Sequence, residues 1–426
     1  MKKENLYLSA IAACYGGLFL SYGPLYLCHI LMLASFAVWI FAKKPNVSLF
    51  RKKFSTLYLF PIFIVLWYAL SITWAIDMTI AAKYLFYIVF GTIIALSIVE
   101  YAKNEIQLSK LLRFTGVIVA LELIVSTLER LSSFRWPISP YSPMVENFGR
   151  TYKLDEFYTP EIVNQLEQIP TGFHWNPNNT AVAILICIPF FLFSKNWILK
   201  IAGTGLGVFV VASGNSRLAL LSLALLIFAS IFYLQPKLRN ITLISGFIVA
   251  GIIAMISISQ KNFIYQKASS SIAAIEAMFS DEHRNISSVS IRRSLADNST
   301  NAVFDNWGQG VGGGNSVVVQ QNNGLIDQKT VSQHNFWLEL LVEGGALFFL
   351  AFLGWLSYVI FRLIGIYKQS TTNLKRIAGA TSLSLVVFCI ACLGMSSAIY
   401  FLPMWILLGV ALASINIFQS KLVTND

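Results

Sequence analysis

Four short stretches of the chain combine residue types that can hold a phosphate or move a proton. The first is Gly172-Phe173-His174-Trp175-Asn176-Pro177-Asn178-Asn179-Thr180-Ala181. Asn176 can cap a helix that Pro177 begins, which is a complete structural role. A helix start also offers free N–H groups to an anion such as pyrophosphate, so Asn178 belongs either to a cap alone or to a cap that touches a ligand. The second stretch, Ser213-Gly214-Asn215-Ser216-Arg217-Leu218, is a tight turn. Its arginine either snorkels to lipid headgroups or sets a guanidinium fork against a lipid diphosphate. The third runs from Ile291-Arg292-Arg293-Ser294-Leu295 to Gly308-Gln309-Gly310-Val311-Gly312-Gly313-Gly314-Asn315. Its glycines satisfy G-x-G-x-x-G, but no strand precedes them and no βαβ helix follows. The expectation is instead a flexible turn whose backbone approaches a ligand. The fourth is Ser332-Gln333-His334-Asn335-Phe336-Trp337-Leu338-Glu339, with Glu343-Gly344-Gly345 after it. His334 is either an interfacial residue or, followed by Asn335 and two helical carboxylates, a general base or cationic phosphate ligand.

The elements that must position these residues are apolar. Of 426 residues 56% are apolar and 12% charged, against about a quarter charged in soluble domains, which excludes a soluble enzyme. Apolar runs at 6–22, 24–42, 56–75, 79–99, 111–128, 178–194, 198–213, 218–234, 241–258, 336–363, 377–397 and 401–418 predict an all-α integral membrane protein. The expectation is a single polytopic domain over 1–426 with about 12 transmembrane helices. Lys2 and Lys3 before a short apolar run resemble a secretory signal, but the run continues from Tyr15 to Tyr22 and reads as a first spanning helix. With the N-terminus inside, 19 of the 31 basic residues fall in cytoplasmic connections, so both termini are expected in the cytoplasm. Two long loops, 129–176 and 260–335, then face outward, the larger between helices 9 and 10. Cytoplasmic loops are short. Chemistry is therefore expected outside, where ATP and nucleotide-sugars are absent and a substrate arrives already activated on a membrane carrier.

Other readings are weaker. The net charge of +11 is explained by cytoplasmic loop lysines and arginines without a nucleic acid. All five cysteines lie in apolar runs, and Cys389-x-x-Cys392 reads as two small residues on a helix face. No outer D-x-D or histidine cluster offers a metal site. Glu122, Glu339 and Glu343 are carboxylates inside apolar runs, functional candidates by default. Glu339 and Glu343, one turn apart, are also suited to holding loop arginines. A transporter or flippase for a lipid-linked solute is the rival of another class, but no internal repeat supports it.

In order, F-x-x-N-P-N-x-x-A, then S-R at a turn, then an arginine followed eighteen residues later by G-V-G, then H-N-x-x-L-E-x-x-x-E-G-G, resembles the O-antigen ligase and O-antigen polymerase superfamily over about residues 170–360. The polar stretch from Gln320 to Gln328 departs from the commoner pattern. The resemblance implies a membrane glycosyltransferase of the bacterial inner membrane, independent of metal and of any cofactor. It acts at the periplasmic face on an undecaprenyl-diphosphate-linked oligosaccharide. Arg217 and Arg292 match the arginines assigned to the diphosphate, and His334 matches the essential histidine. Arg293, Asn178, Asn335 and Glu339 are the expected substrate contacts. The sequence leans to a polysaccharide polymerase using a lipid-linked repeat as acceptor, with an O-antigen ligase using lipid A core as the alternative.

Overall fold

A computed structural model describes residues 3–42, 56–152, 163, 166–214, 216–233, 288–323, 333–395 and 397–425. The expected run at 241–258, Asn215 and the outer loop before residue 288 lie outside the described residues. The described residues are mostly helical. The chain begins with α1 (Lys3–Tyr15), a two-strand ribbon of β1 (Ser21–Tyr22) and β2 (Leu25–Tyr26) with Ser21 opposite Tyr26, and α2 (Leu27–Ala42). Next come α3 (Thr56–Ser71), α4 (Met78–Tyr101) and α5 (Glu105–Leu131). After the first long loop follow α6 (Pro177–Leu192), α7 (Thr204–Ser213) and α8 (Arg217–Tyr233). The second long loop contributes α9 (Ser288–Asp305) and α10 (Ser316–Asn322), and the chain closes with α11 (Phe336–Gln369), α12 (Asn373–Ala391) and α13 (Leu402–Asn425).

Among the described residues, five helices are long and apolar enough to cross a bilayer: Met78–Tyr101, Glu105–Leu131, Phe336–Gln369, Asn373–Gly394 and Leu402–Leu422. Four further apolar helices, Tyr58–Trp74, Pro177–Leu192, Leu199–Ser213 and Arg217–Ile231, are shorter. The run expected at 6–22 differs most. Its helix stops at Tyr15, about 20 Å long at 1.5 Å per residue. The chain then turns, and Leu18 donates its backbone N–H to Phe173 O at 2.9 Å, tying this end of α1 to the stretch before α6.

Helices α12 and α13 form the centre. They are apolar almost all round, as a helix buried on every side must be, and most of their residues, among them Leu374, Leu383, Phe388, Trp405, Ala411 and Ile415, are buried. Small residues let their neighbours approach closely. Trp405 of α13 fills a notch on α4, where a Cβ on Gly91 would stand 2.2 Å from its ring. The Trp405 indole N–H then finds Ile399 O at 2.7 Å. Buried hydroxyls are satisfied by carbonyls, Thr381 by Ile377 O and Ser384 by Ile186 O on α6.

Candidate active site

His334 and Asn335 occupy the start of α11. Asn335 is the N-cap: its side-chain oxygen accepts from Trp337 N at 3.1 Å and Leu338 N at 3.3 Å, satisfying two of the orphan amides of the first turn. His334 is half-buried with φ of 48°. Among the described residues only Trp307 shares that left-handed conformation without being glycine. Such a residue costs on the order of 1 kcal/mol and is held only where its surroundings dictate it. The next turn is anchored by Trp337, whose indole donates to Cys389 O at 2.8 Å.

Glu339 and Glu343, one turn apart, point into the protein at 3% and 1% exposure. Glu339 accepts from the phenol of Tyr84 on α4, which also lies 3.2 Å from the Ser397 hydroxyl. Glu343 accepts from Ser316 Oγ at 2.7 Å. These hydroxyl contacts tie α11 to α4, α10 and the α12–α13 connection. Glu339 thus sits in the first turn of the helix that His334 precedes, its carboxylate beside Tyr84 and Ser397.

Helix α11 is discontinuous. A single helix of 34 residues would be about 51 Å long, well beyond the roughly 30 Å of a bilayer core. Gly345 leaves helical geometry with φ of 82° and splits off residues 336–344. The carbonyls freed by the break are met from elsewhere: Val311 N donates to Val342 O at 2.8 Å, Gly312 N to Glu343 O at 3.2 Å, and the Trp67 indole to Gly344 O at 2.8 Å. Ala346 N in turn donates to Gly308 O at 2.8 Å. The glycine turn is expected from sequence to let backbone approach a ligand. In the structure its backbone also closes on α11, where a Cβ on Gly310 would stand 2.6 Å from Gly345 N.

The stretch before α6 is held by two buried carboxylates of α5. Glu129 accepts Thr171 N and Gly172 N at 2.7 Å each and Trp136 N at 3.0 Å, with Arg135 at 3.9 Å. Glu122 accepts Phe173 N. Asn176 caps α6 as its sequence implied, its side chain accepting Asn178 N at 2.9 Å with Pro177 in the first turn, and Asn178 itself is half-buried. His174 is buried, its Nε2 without a hydrogen-bond partner, and burial lowers its pKa from 6.5 to about 4. Its ring packs 5.7 Å from that of Phe401.

These pieces meet around the connection from α12 to α13, which no motif in the sequence marks. Leu218, next to Arg217, lies 3.3 Å from where a Cβ on Gly394 would stand. Trp337 binds Cys389 O, Ser397 faces Tyr84 beside Glu339, and Phe401 packs on His174. The helix starts that carry Arg217 and His334 therefore converge on one end of α12. Helix α9 packs against α10 and α11. It carries positions 292 and 293 in its second turn; the Arg293 side chain is exposed, as is that of Arg217. Tyr84, Ser316 and Ser397 escaped the sequence reading because each meets its carboxylate only through tertiary structure.

Residues 202–353 match the family described as O-antigen ligase, a segment that contains Arg217, Arg292, Arg293, His334, Asn335 and Glu339. The chain is also similar to the teichuronic acid biosynthesis protein TuaE of Bacillus subtilis (strain 168), 23% identical over 440 residues that cover 98% of this chain and 86% of TuaE. The motif order, the helical architecture and both likenesses agree in making the chain similar to the O-antigen ligase and O-antigen polymerase superfamily, most directly over residues 202–353.

Proposed function

We propose that the protein is a metal-independent glycosyltransferase of the bacterial inner membrane, with about twelve spans, both termini cytoplasmic and the loops 129–176 and 260–335 in the periplasm. Its donor is an undecaprenyl-diphosphate-linked glycan. The acceptor hydroxyl oxygen attacks the anomeric carbon of the reducing-end sugar, the bond from that carbon to diphosphate oxygen breaks, and the polyprenyl diphosphate leaves. His334 takes the hydroxyl proton. Arg217 and Arg292 stabilise the charge that develops on the departing diphosphate, the kind of preorganised electrostatics that carries much of many enzymes' acceleration. The guanidinium fork suits a diphosphate better than an ammonium. By helical period, position 292 is in register with the buried Leu295 and Ser299, whereas Arg293 is in register with the exposed Asp297 and Thr300, which favours Arg292 for the diphosphate and leaves Arg293 to the glycan. Asn178 and Asn335 keep their amide N–H groups for substrate while the asparagine caps hold the helix starts. The observation that carries the reading is that Leu218 packs by Gly394 while Trp337 donates to Cys389 O, both near one end of α12, which supports a shared site for Arg217 and His334.

Polymerisation, in which the growing chain passes to the next lipid-linked repeat, is the favoured reaction, on the motif Leu338-Glu339 with Glu343-Gly344-Gly345 after His334-Asn335. Transfer to lipid A core is the second reading, supported by the description of the matching family. Purified protein given a lipid-diphosphate oligosaccharide in EDTA, with a second lipid-linked repeat or with lipid A core, separates them. Product with the first acceptor alone supports a polymerase, and product with the second alone a ligase. No transfer with either across several glycans would overturn the enzyme reading in favour of a transporter.

A further inference from the structure

Two glutamines and a serine, all buried, join the arginine helix to the histidine. Gln333 immediately precedes His334, and its amide nitrogen donates to Ser299 Oγ at 2.6 Å and to Leu295 O at 3.3 Å. Gln320, on α10, donates to the same two acceptors, Ser299 Oγ at 2.9 Å and Leu295 O at 3.0 Å, and to Gln333 Oε1 at 3.2 Å. Its own oxygen accepts from Asn298 Nδ2 at 3.0 Å. Ser299 and Gln320 are fully buried and Gln333 is 4% exposed.

Leu295 and Ser299 lie on α9, one and two turns after position 292. The apolar contact in this region is a small cluster of Val303, Val311, Val319 and Val342, separate from the main core. Apolar contacts are non-directional and tolerate sliding of one helix over another, whereas hydrogen bonds between buried polar groups fix a register and are costly to leave unmade. Two amides sharing one hydroxyl and one carbonyl determine where α9 sits relative to residue 333, and so relative to the strained turn at His334.

We propose that Gln320, Gln333 and Ser299 are positioning residues, a buried amide clasp that holds the arginine of α9 in register with His334. This rests on the reading of His334 and Arg292 as parts of a glycan-transfer site. Misplacement of a catalytic group by about 1 Å can cost on the order of 10²-fold in rate. Interactions that bind substrate and transition state alike are untouched by such a shift.

The test is steady-state glycan transfer by purified, membrane-inserted Gln320→Met, Gln333→Met and the double variant, beside His334→Ala. Methionine keeps the volume and removes the hydrogen bonds. Each single variant is expected to lose about tenfold to a hundredfold in kcat with KM for the lipid-linked donor unchanged. The double variant should be no slower than the slower single, because both act through one clasp. Turnover at the wild-type rate, losses that multiply, or a raised KM at unchanged kcat would overturn the clasp. If the methionine variants fail to insert, Ser299→Ala, which removes only the shared hydroxyl, decides by the same criteria. Wild-type clasp variants beside a dead His334→Ala defeat the clasp alone, whereas full activity of His334→Ala defeats the site on which it rests.

Discussion

Val311 donates its backbone N–H to the carbonyl of Val342 at 2.8 Å, pairing the glycine turn of the large loop with a helix that comes apart three residues later. The break at Gly345 is thus a site of backbone recognition between two segments that both flank the candidate centre.

Gly345→Ala is expected to be severe. The residue sits at φ of 82°, and an added Cβ would stand 2.4 Å from Gln309 O, a backbone atom with little freedom to retreat. Strain and clash together should cost about 1–3 kcal/mol and abolish glycan transfer, read as a lower melting temperature in detergent and loss of product. Gly354→Ala, in the same helix with nothing within 4 Å, should hold or raise stability. Equal melting of the two variants would show that the break is dispensable.

The Tyr84 phenol and the Glu339 carboxylate should behave as one unit. Tyr84→Phe removes a donor from a buried carboxylate and is expected to destabilise by about 1–3 kcal/mol. In the Glu339→Gln background the same change should cost measurably less, a coupling of about 0.5–3 kcal/mol in a double-mutant cycle of melting free energies. Additive losses would mean that the contact carries no energy of its own.

His174 makes the protein sensitive to acid in a defined window. Burial holds its pKa near 4, below the ordinary 6.5, so the unfolded chain binds the proton more readily. Stability contributed by the neutral ring is present in full above 6.5 and is lost as pH falls toward 4, by on the order of 3 kcal/mol. His174→Gln should flatten the fall in melting temperature between pH 6.5 and 4. An unchanged profile would place the acid sensitivity elsewhere.

What was legible in the sequence was local. Asn176-Pro177 announces a helix start through side chains that act within three residues, and the cap is there. Glu339 and Glu343 share a face by period alone. Their partners are another matter, since Tyr84 lies 255 positions from Glu339 and nothing near either residue specifies the pairing. The break in α11 was hidden for a similar reason: Gly344-Gly345 inside an apolar run is compatible with a continuous spanning helix, and the carbonyls that it frees are matched by a loop some thirty residues earlier. Gln320 read as a polar departure from a family pattern, yet its side chain is fully buried and satisfied.

In the proposed reaction His334, with Arg217 and Arg292, performs glycan transfer from a lipid diphosphate without a metal. The most direct measurement is the transfer rate of purified His334→Ala in EDTA, with His283→Ala, from the same loop but outside the H-N helix, as the control. A loss on the order of 10² or more is expected for His334→Ala and near wild-type rates for His283→Ala. Full activity of the His334 variant would contradict the proposed reaction.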